Sequence, residues 1–177
     1  MNLRLLAIDP GSKATGAAYF SDDDVRPTST DWFRRDGIPA QERMRYIAEQ
    51  LGLAARTRGW TPDVIAIERV VLGLNTQTAV AMSQNRGYLI RVLDELFPRA
   101  RYLDIYPAST KAAAMARGAR VFAKDDTRHA IEVMTGLTGL GEDEYDAIAV
   151  GWAAFKIMRE QRLVVMADEA DQLRLAR

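Results

Sequence analysis

Four acidic residues sit where an acid is costly or conspicuous. Asp9 ends the apolar run of LLAIDPGSKATG (residues 5–16) and is followed at once by a Pro-Gly pair. Glu68 ends a second apolar run, DVIAIE (63–68), and leads into RVVLGL with no turn residue directly after it. Asp143 and Asp146 lie three residues apart in GEDEYDAIAV, so on a helix they share a face. A carboxylate ending a buried strand costs on the order of several kcal/mol to desolvate unless a cation or hydrogen-bond donor meets it. Four that converge repel one another. In a chain with no cysteine and one histidine, the relief that fits is a hard divalent cation, Mg²⁺ or Mn²⁺, held by oxygen alone. Two such ions about 4 Å apart suit in-line attack of water on a phosphodiester. The implied chemistry is metal-assisted hydrolysis of a nucleic-acid backbone. Any one of the four acids is equally well explained as a turn, cap or first-turn helix residue; only the set points to a site.

The elements that must position these acids follow from periodicity. Residues 3–8, 15–20 and 30–35 read as three antiparallel strands, with the acidic SDDDVRP joining the last two. From Pro39 to about Arg58, Met44, Ile47, Leu51 and Ala54 recur at helical spacing, and RGWTP closes the helix. Residues 63–68 form a short, wholly apolar run with β-branched residues, the pattern of a parallel strand buried on both faces. A second helix over 75–96, a fifth strand over 101–107, and helices near 109–116, 125–136 and 142–160 complete the order. The class is α/β: a mixed five-stranded sheet whose first three strands are antiparallel, covered by helices on both faces. If the first and fourth strands are parallel neighbours, their backbones lie about 4.8 Å apart and bring Asp9 and Glu68 to one sheet edge. Asp143 and Asp146 then reach that edge from the first turn of the last helix, whose positive end favours anions.

With 177 residues, 48% of them hydrophobic, the chain supports one well-buried domain. That domain is expected over 1–162, with 163–177 as a partly ordered appendage. The N-terminal MNLRLLAID runs directly into the first strand, without a leader pattern or a membrane-length apolar run. The absence of cysteine suits a reducing compartment. A soluble, cytoplasmic protein with no membrane partner is expected. Net charge is zero, yet residues 84–124 set Arg86, Arg91, Arg99, Arg101, Lys111, Arg117, Arg120 and Lys124 against only Asp94, Glu95 and Asp104, a local excess of five positive charges, while acids crowd 142–146. A basic stripe facing metal-loaded carboxylates could hold a phosphate backbone; solvated helix faces explain the same stripe as well.

The blocks AIDPGSKATG, IAIERV followed by NTQTAVAMSQNRG, YPASTKAAAMARG and DEYDAIAVGWAA together resemble the RuvC family of Holliday-junction resolvases, a branch of the RNase H-like fold. They occur in the family's order, from residue 5 to about 155. The resemblance implies that Asp9, Glu68, Asp143 and Asp146 are the metal ligands, for Mg²⁺ or Mn²⁺ with two ions per subunit. It implies that Lys111 and Lys124 contact phosphate or stabilise transition-state charge. It further implies a homodimer with the second helix near the two-fold axis, each site nicking one strand of a four-way junction to leave ligatable 5′-phosphate ends. The RuvA–RuvB branch-migration complex is the implied partner assembly. Val71, Leu72, Asn75, Arg86, Arg117 and Arg120, with the two lysines, are the candidate DNA contacts.

Three departures stand out. Many family members carry a base-stacking aromatic three residues after the catalytic Glu, where this chain has Val71 with Leu72 beside it. Stacking on a ring contributes about 1–3 kcal/mol, part of which an aliphatic wedge forfeits. Glu144 and Tyr145 replace the usual small residues between the late aspartates and are expected to matter little. The zero net charge implies binding that leans on local patches. Elsewhere, His129 reads as an ordinary helix residue, and Trp32, Trp60 and Trp152 as core or staple residues. Gly11 and Gly16 serve either unusual backbone angles or close DNA approach, and Arg86 either lines a DNA channel or pairs across a dimer. Competing functions are a non-catalytic branched-DNA binder, a less selective nuclease on other branched DNA, and an actin-like ATP-binding protein, which requires two such domains.

Overall fold

The computed structural model describes residues 3–11, 14–21, 25–70, 76–116 and 124–175, with the side chains of Lys124 and of residues 162–175 outside the description. Strands β1 (Arg4–Asp9), β2 (Ala14–Ser21) and β3 (Ser29–Arg34) are followed by helix α1 (Ala40–Thr57) and strand β4 (Val64–Glu68). Helix α2 (Thr76–Leu96), strand β5 (Arg101–Ile105) and helices α3 (Pro107–Ala116), α4 (Lys124–Thr135) and α5 (Glu142–Leu175) complete the order. The sheet runs β3-β2-β1-β4-β5. β1, β2 and β3 pair antiparallel, whereas β4 lies parallel to both β1 and β5. This is the mixed five-stranded sheet expected from the sequence.

Strand alternation sorts the core into two layers. Leu5, Ala7, Ala18, Phe20, Val64, Ala66 and Ile105 pack against Ala113 of α3, Ile131 of α4 and the apolar face of α5 from Tyr145 to Phe155. Their alternates Leu6, Ile8, Ala17, Tyr19, Ile65 and Ile67 pack against α1 and α2. Each fully buried Leu or Ile contributes about 1.5–3 kcal/mol, so β1 and β4, buried on both faces, anchor the sheet. By the same alternation Asp9, two residues beyond Ala7, and Glu68, two beyond Ala66, fall on the face that α5 covers.

The boundaries have local causes. α1 ends in a glycine in the left-handed region, Gly59 at φ 60°. Its N–H donates to the Arg56 carbonyl and that of Trp60 to the Ala55 carbonyl, a closure that glycine accommodates without strain. β5 stops at Ile105, two residues short of the expected end, because Pro107 opens α3: proline has no N–H to lose in a first turn and its fixed φ suits a helix. α5 continues past the expected residue 160 to Leu175, since 163–175 contains neither Gly nor Pro and more than half of it is Leu, Ala, Met, Glu, Gln or Arg, all good helix formers. The boundary expected near 162 therefore falls inside one helix.

Trp152 is the expected core residue, 1% exposed, and its indole N–H donates to the Val25 carbonyl at 2.7 Å. Trp60 staples the end of α1 edge-on to Tyr19, with ring centroids 5.1 Å apart. Trp32 departs from expectation and is 48% exposed, because its neighbour across the ladder on β2 is Gly16, which offers no side chain to cover it.

Neither Gly11 nor Gly16 is among the glycines of positive φ. Both serve close approach, and what approaches is the protein itself. A Cβ on Gly16 would lie 1.8 Å from the Asp143 carbonyl oxygen, and one on Gly11 would lie 2.5 Å from the Ala14 carbonyl oxygen. The first turn of α5 thus rests directly on β2. Gly16→Ala is expected to displace that turn and to cost about 3 kcal/mol, the upper end for overpacking, because the obstacle is backbone and cannot rotate away. Thermal denaturation of the purified variant measures this.

Candidate active site

β1 and β4 are parallel neighbours with Ile8 opposite Ile67, which sets Asp9 and Glu68 side by side in the next row at the carboxyl ends of the two strands. Asp9 lies opposite Gly16 on β2, and Gly16 lies opposite Trp32 on β3. One row across the sheet therefore reads Trp32, Gly16, Asp9, Glu68, with Ile105 opposite Glu68 on β5. The first turn of α5, carrying Glu142, Asp143 and Glu144, lies over the β2 end of that row.

Glu68 is held from two helices. The Thr110 hydroxyl on α3 donates to its Oε1 at 3.1 Å, and the Arg86 Nε on α2 donates to its carbonyl oxygen at 3.1 Å. Burial pushes its carboxyl above the ordinary range and nearby Asp146 adds to the rise, while the Thr110 hydrogen bond and the Lys111 charge oppose it. Glu68, Thr110, Lys111, Thr127 and Asp146 line a single cleft, and Asp146 shares a second with Asp125 and Arg128.

Asp143 is held differently. Its Oδ2 accepts the Trp32 indole N–H at 2.8 Å, and its Oδ1 lies over Gly11, whose N–H closes a turn onto the Asp9 carbonyl at 3.1 Å. Glu144 accepts the Thr30 hydroxyl at 2.7 Å through Oε1 and the Gly141 N–H at 2.9 Å through Oε2. The latter is a capping contact from the third helical position back to the residue that precedes the helix. Tyr145 is 4% exposed in the core, and its hydroxyl donates to Glu132 at 2.7 Å. The two residues expected to matter little thus pin α5 to β3 and to α4.

The four acids form two couples, Asp143 above the turn that follows Asp9 and Asp146 near Glu68. Among the described residues no three acid or histidine side chains lie close enough to hold an ion together. The donor chemistry nevertheless fits a hard divalent cation: it is all oxygen, and Asp146 lies close enough to the desolvated Glu68 carboxyl to raise its proton affinity.

Several participants carry no advance signal in the sequence. Thr110 and Thr127 enter the cleft only through the placement of α3 and α4, and Trp32 only through the β2–β3 register. Asp104 lies between two arginines, at 3.7 Å from Arg69 Nε and hydrogen-bonded to Arg86 Nη2. Arg86 therefore commits its donors to Asp104 and the Glu68 carbonyl. Arg69 stacks on the Tyr106 ring at 4.6 Å and bonds its hydroxyl. Val71, Leu72, Asn75, Arg117 and Arg120 lie outside the described residues, as does the Lys124 side chain, although Lys124 itself opens α4.

The family profile described as crossover junction endodeoxyribonuclease RuvC matches residues 5–153. The chain belongs to the RuvC family. The crossover junction endodeoxyribonuclease RuvC of Stenotrophomonas maltophilia is 33% identical over 155 residues, covering 83% of this chain and 84% of the relative. That of Xylella fastidiosa (strain Temecula1) is 32% identical over 173 residues, covering 94% and 96%. Among solved structures, Thermus thermophilus RuvC in complex with a Holliday junction substrate superposes with a TM-score of 0.70 at 16% identity, covering 89% of this chain and 96% of that one. T. thermophilus RuvC by itself gives 0.70 at 18%, covering 90% and 97%. These superpositions establish the shared RNase H-like fold. The RuvC match contains all four acids and Lys111 and stops well short of the end of α5. Among the described residues no helix is long and apolar enough to cross a membrane.

Because burial and Asp146 favour the protonated form of Glu68, its ionisation works against the fold. The penalty is absent where folded and unfolded chains are both protonated, grows as pH rises through the ordinary value of 4.5, and is complete above the raised one. Glu68→Gln is expected to melt higher than the parent in chelator at neutral pH and to lose that advantage in acid. Melting curves across pH test this.

Proposed function

We propose that this chain is a structure-selective endonuclease that resolves Holliday junctions by symmetric hydrolysis, as a homodimer, leaving 5′-phosphate ends. The observation that carries the reading is the family match over residues 5–153, which spans all four acids that the fold directs to one end of the sheet. In this reading Asp9, Glu68, Asp143 and Asp146 hold two Mg²⁺ or Mn²⁺ ions. Bound there, such ions would supply an activated water and neutralise the leaving oxygen.

The chain's own residues prepare the site. Thr110 fixes one oxygen of Glu68 and leaves the other free to turn toward an ion. Lys111, whose charge already acts on Glu68, is positioned to meet the phosphate and stabilise charge that develops on it; Lys124, at the head of α4, would do the same. Val71 and Leu72 would form an aliphatic wedge at the junction, with Asn75, Arg117 and Arg120 contacting DNA nearby. Arg86 would contribute by holding the end of β4 through the Glu68 carbonyl. Residues 1–162 would constitute the nuclease unit and 163–177 an appendage, acting in the cytoplasm alongside a RuvA–RuvB motor.

Asp9→Asn is expected to lower cleavage of a synthetic four-way junction in Mg²⁺ by at least about a hundredfold, the loss that follows removal of one group stabilising transition-state charge. Gel-shift affinity for the junction in Ca²⁺ should change little, since phosphate contacts dominate binding. Cutting at the parental rate would overturn the assignment. Flap, three-way and linear duplexes in parallel distinguish a resolvase from a less selective nuclease.

A further inference from the structure

We propose that Trp32 is a positioning residue for Asp143, holding one carboxylate oxygen so that the other is presented to the metal site as a single-oxygen ligand. The inference rests on the reading of Asp143 as a ligand. Three observations carry it.

The first is the contact. Trp32 Nε1 donates to Asp143 Oδ2 at 2.8 Å, while Oδ1 of the same carboxylate faces Gly11 in the turn that follows Asp9. A carboxylate at the start of a helix otherwise rotates freely about its side-chain bonds. One fixed oxygen removes most of that freedom and determines the direction in which the other points.

The second is the path. Trp32 and Asp9 are separated on the sheet by Gly16 alone, in the row Trp32, Gly16, Asp9. Any side chain on residue 16 would collide with the Asp143 carbonyl and block the indole's route to the carboxylate. The glycine that admits the helix also admits the tryptophan's reach.

The third is the clamp around it. Thr30, two residues from Trp32 and on the same face of β3, bonds Glu144 at 2.7 Å, and Glu144 in turn bonds the Gly141 N–H. Alternate residues of one edge strand thus hold consecutive residues of α5. With the helical turn fixed by Thr30, the Trp32 bond acts on the carboxylate itself. Trp32 is 48% exposed, so its large ring contributes little to the core, and a requirement for its N–H accounts for its position.

The test is Mn²⁺ binding to the purified, metal-stripped protein without DNA, by calorimetry or by loss of the free-ion electron paramagnetic resonance signal. Parent, Trp32→Phe, Trp32→Gln and Asp143→Asn are compared. Trp32→Phe keeps an aromatic ring and removes the donor; it should weaken Mn²⁺ binding by about 10- to 100-fold, the usual loss when a group that orients a metal ligand is removed. Its melting temperature in chelator should stay within a degree or two of the parent, and the Mg²⁺ concentration for half-maximal cleavage should rise by a similar factor. Trp32→Gln, which retains an N–H, should recover part of the affinity. If Asp143→Asn weakens Mn²⁺ binding and Trp32→Phe does not, the positioning role falls and the metal reading stands. If Asp143→Asn binds Mn²⁺ as the parent does, Asp143 is not a ligand and both fall.

Discussion

The acidic end of this molecule is assembled around a missing side chain. α5 bears two of the four acids, and it can bring them to the strand ends only by setting its first turn against β2, where residue 16 has no Cβ to hold it off. From that contact follows the placement of Asp143 over the turn after Asp9, the reach of Trp32, and the burial of the apolar face of α5 from Tyr145 onward. The same helix is the largest contributor to one of the two core layers. Packing energy therefore drives together groups that electrostatics would keep apart.

That opposition defines the chemistry. Carboxylates at the end of a buried strand and in the first turn of a helix are kept there by the apolar residues behind them, with Ala7 and Ile8 before Asp9 and Ala66 and Ile67 before Glu68 all fully buried. Glu68 registers the cost through its raised proton affinity, which stems first from lost hydration and then from Asp146. A desolvated carboxylate beside a second acid, as Glu68 is beside Asp146, gains from a multivalent cation, because one ion offsets both the desolvation and the mutual repulsion. Hydroxyl and indole donors from Thr110 and Trp32 each meet one oxygen, of Glu68 and of Asp143.

Charge elsewhere is organised to the same end. Asp104 couples Arg69 after β4 to Arg86 on α2, and Arg86 reaches the carbonyl of Glu68 itself. Part of the basic stretch visible in the sequence is thus internal scaffolding for the site. Partly exposed pairs of this kind add little to stability; here they orient the end of the strand that carries Glu68.

Much of the fold and the candidacy of the four acids were legible in the linear chain, for identifiable reasons. Short, nearly unbroken apolar runs marked β1 and β4, period 3.6 marked α1, and Gly59 marked its end, because these are local consequences of backbone geometry and burial. An acid at the end of an apolar run is conspicuous without reference to any distant residue, and three-residue spacing on a helix places Asp143 and Asp146 on one face. Other features depended on contacts between segments remote in sequence. Trp32 reads as a core residue until strand register sets it opposite a glycine. Gly16 reads as a site of unusual backbone angles or of close DNA approach until α5 descends on it. Glu144 and Tyr145 read as bystanders until β3 and α4 meet them, and Arg86 reads as a DNA or dimer contact until α2 sets it beside the Glu68 carbonyl. The chain alone singled out the groups that could carry the chemistry, since residue type and local period suffice to make an acid at the end of an apolar run conspicuous. Only the tertiary structure decided which neighbour holds each one, because register and helix docking join residues more than a hundred positions apart, as with Trp32 and Asp143, and no local pattern encodes such a pairing.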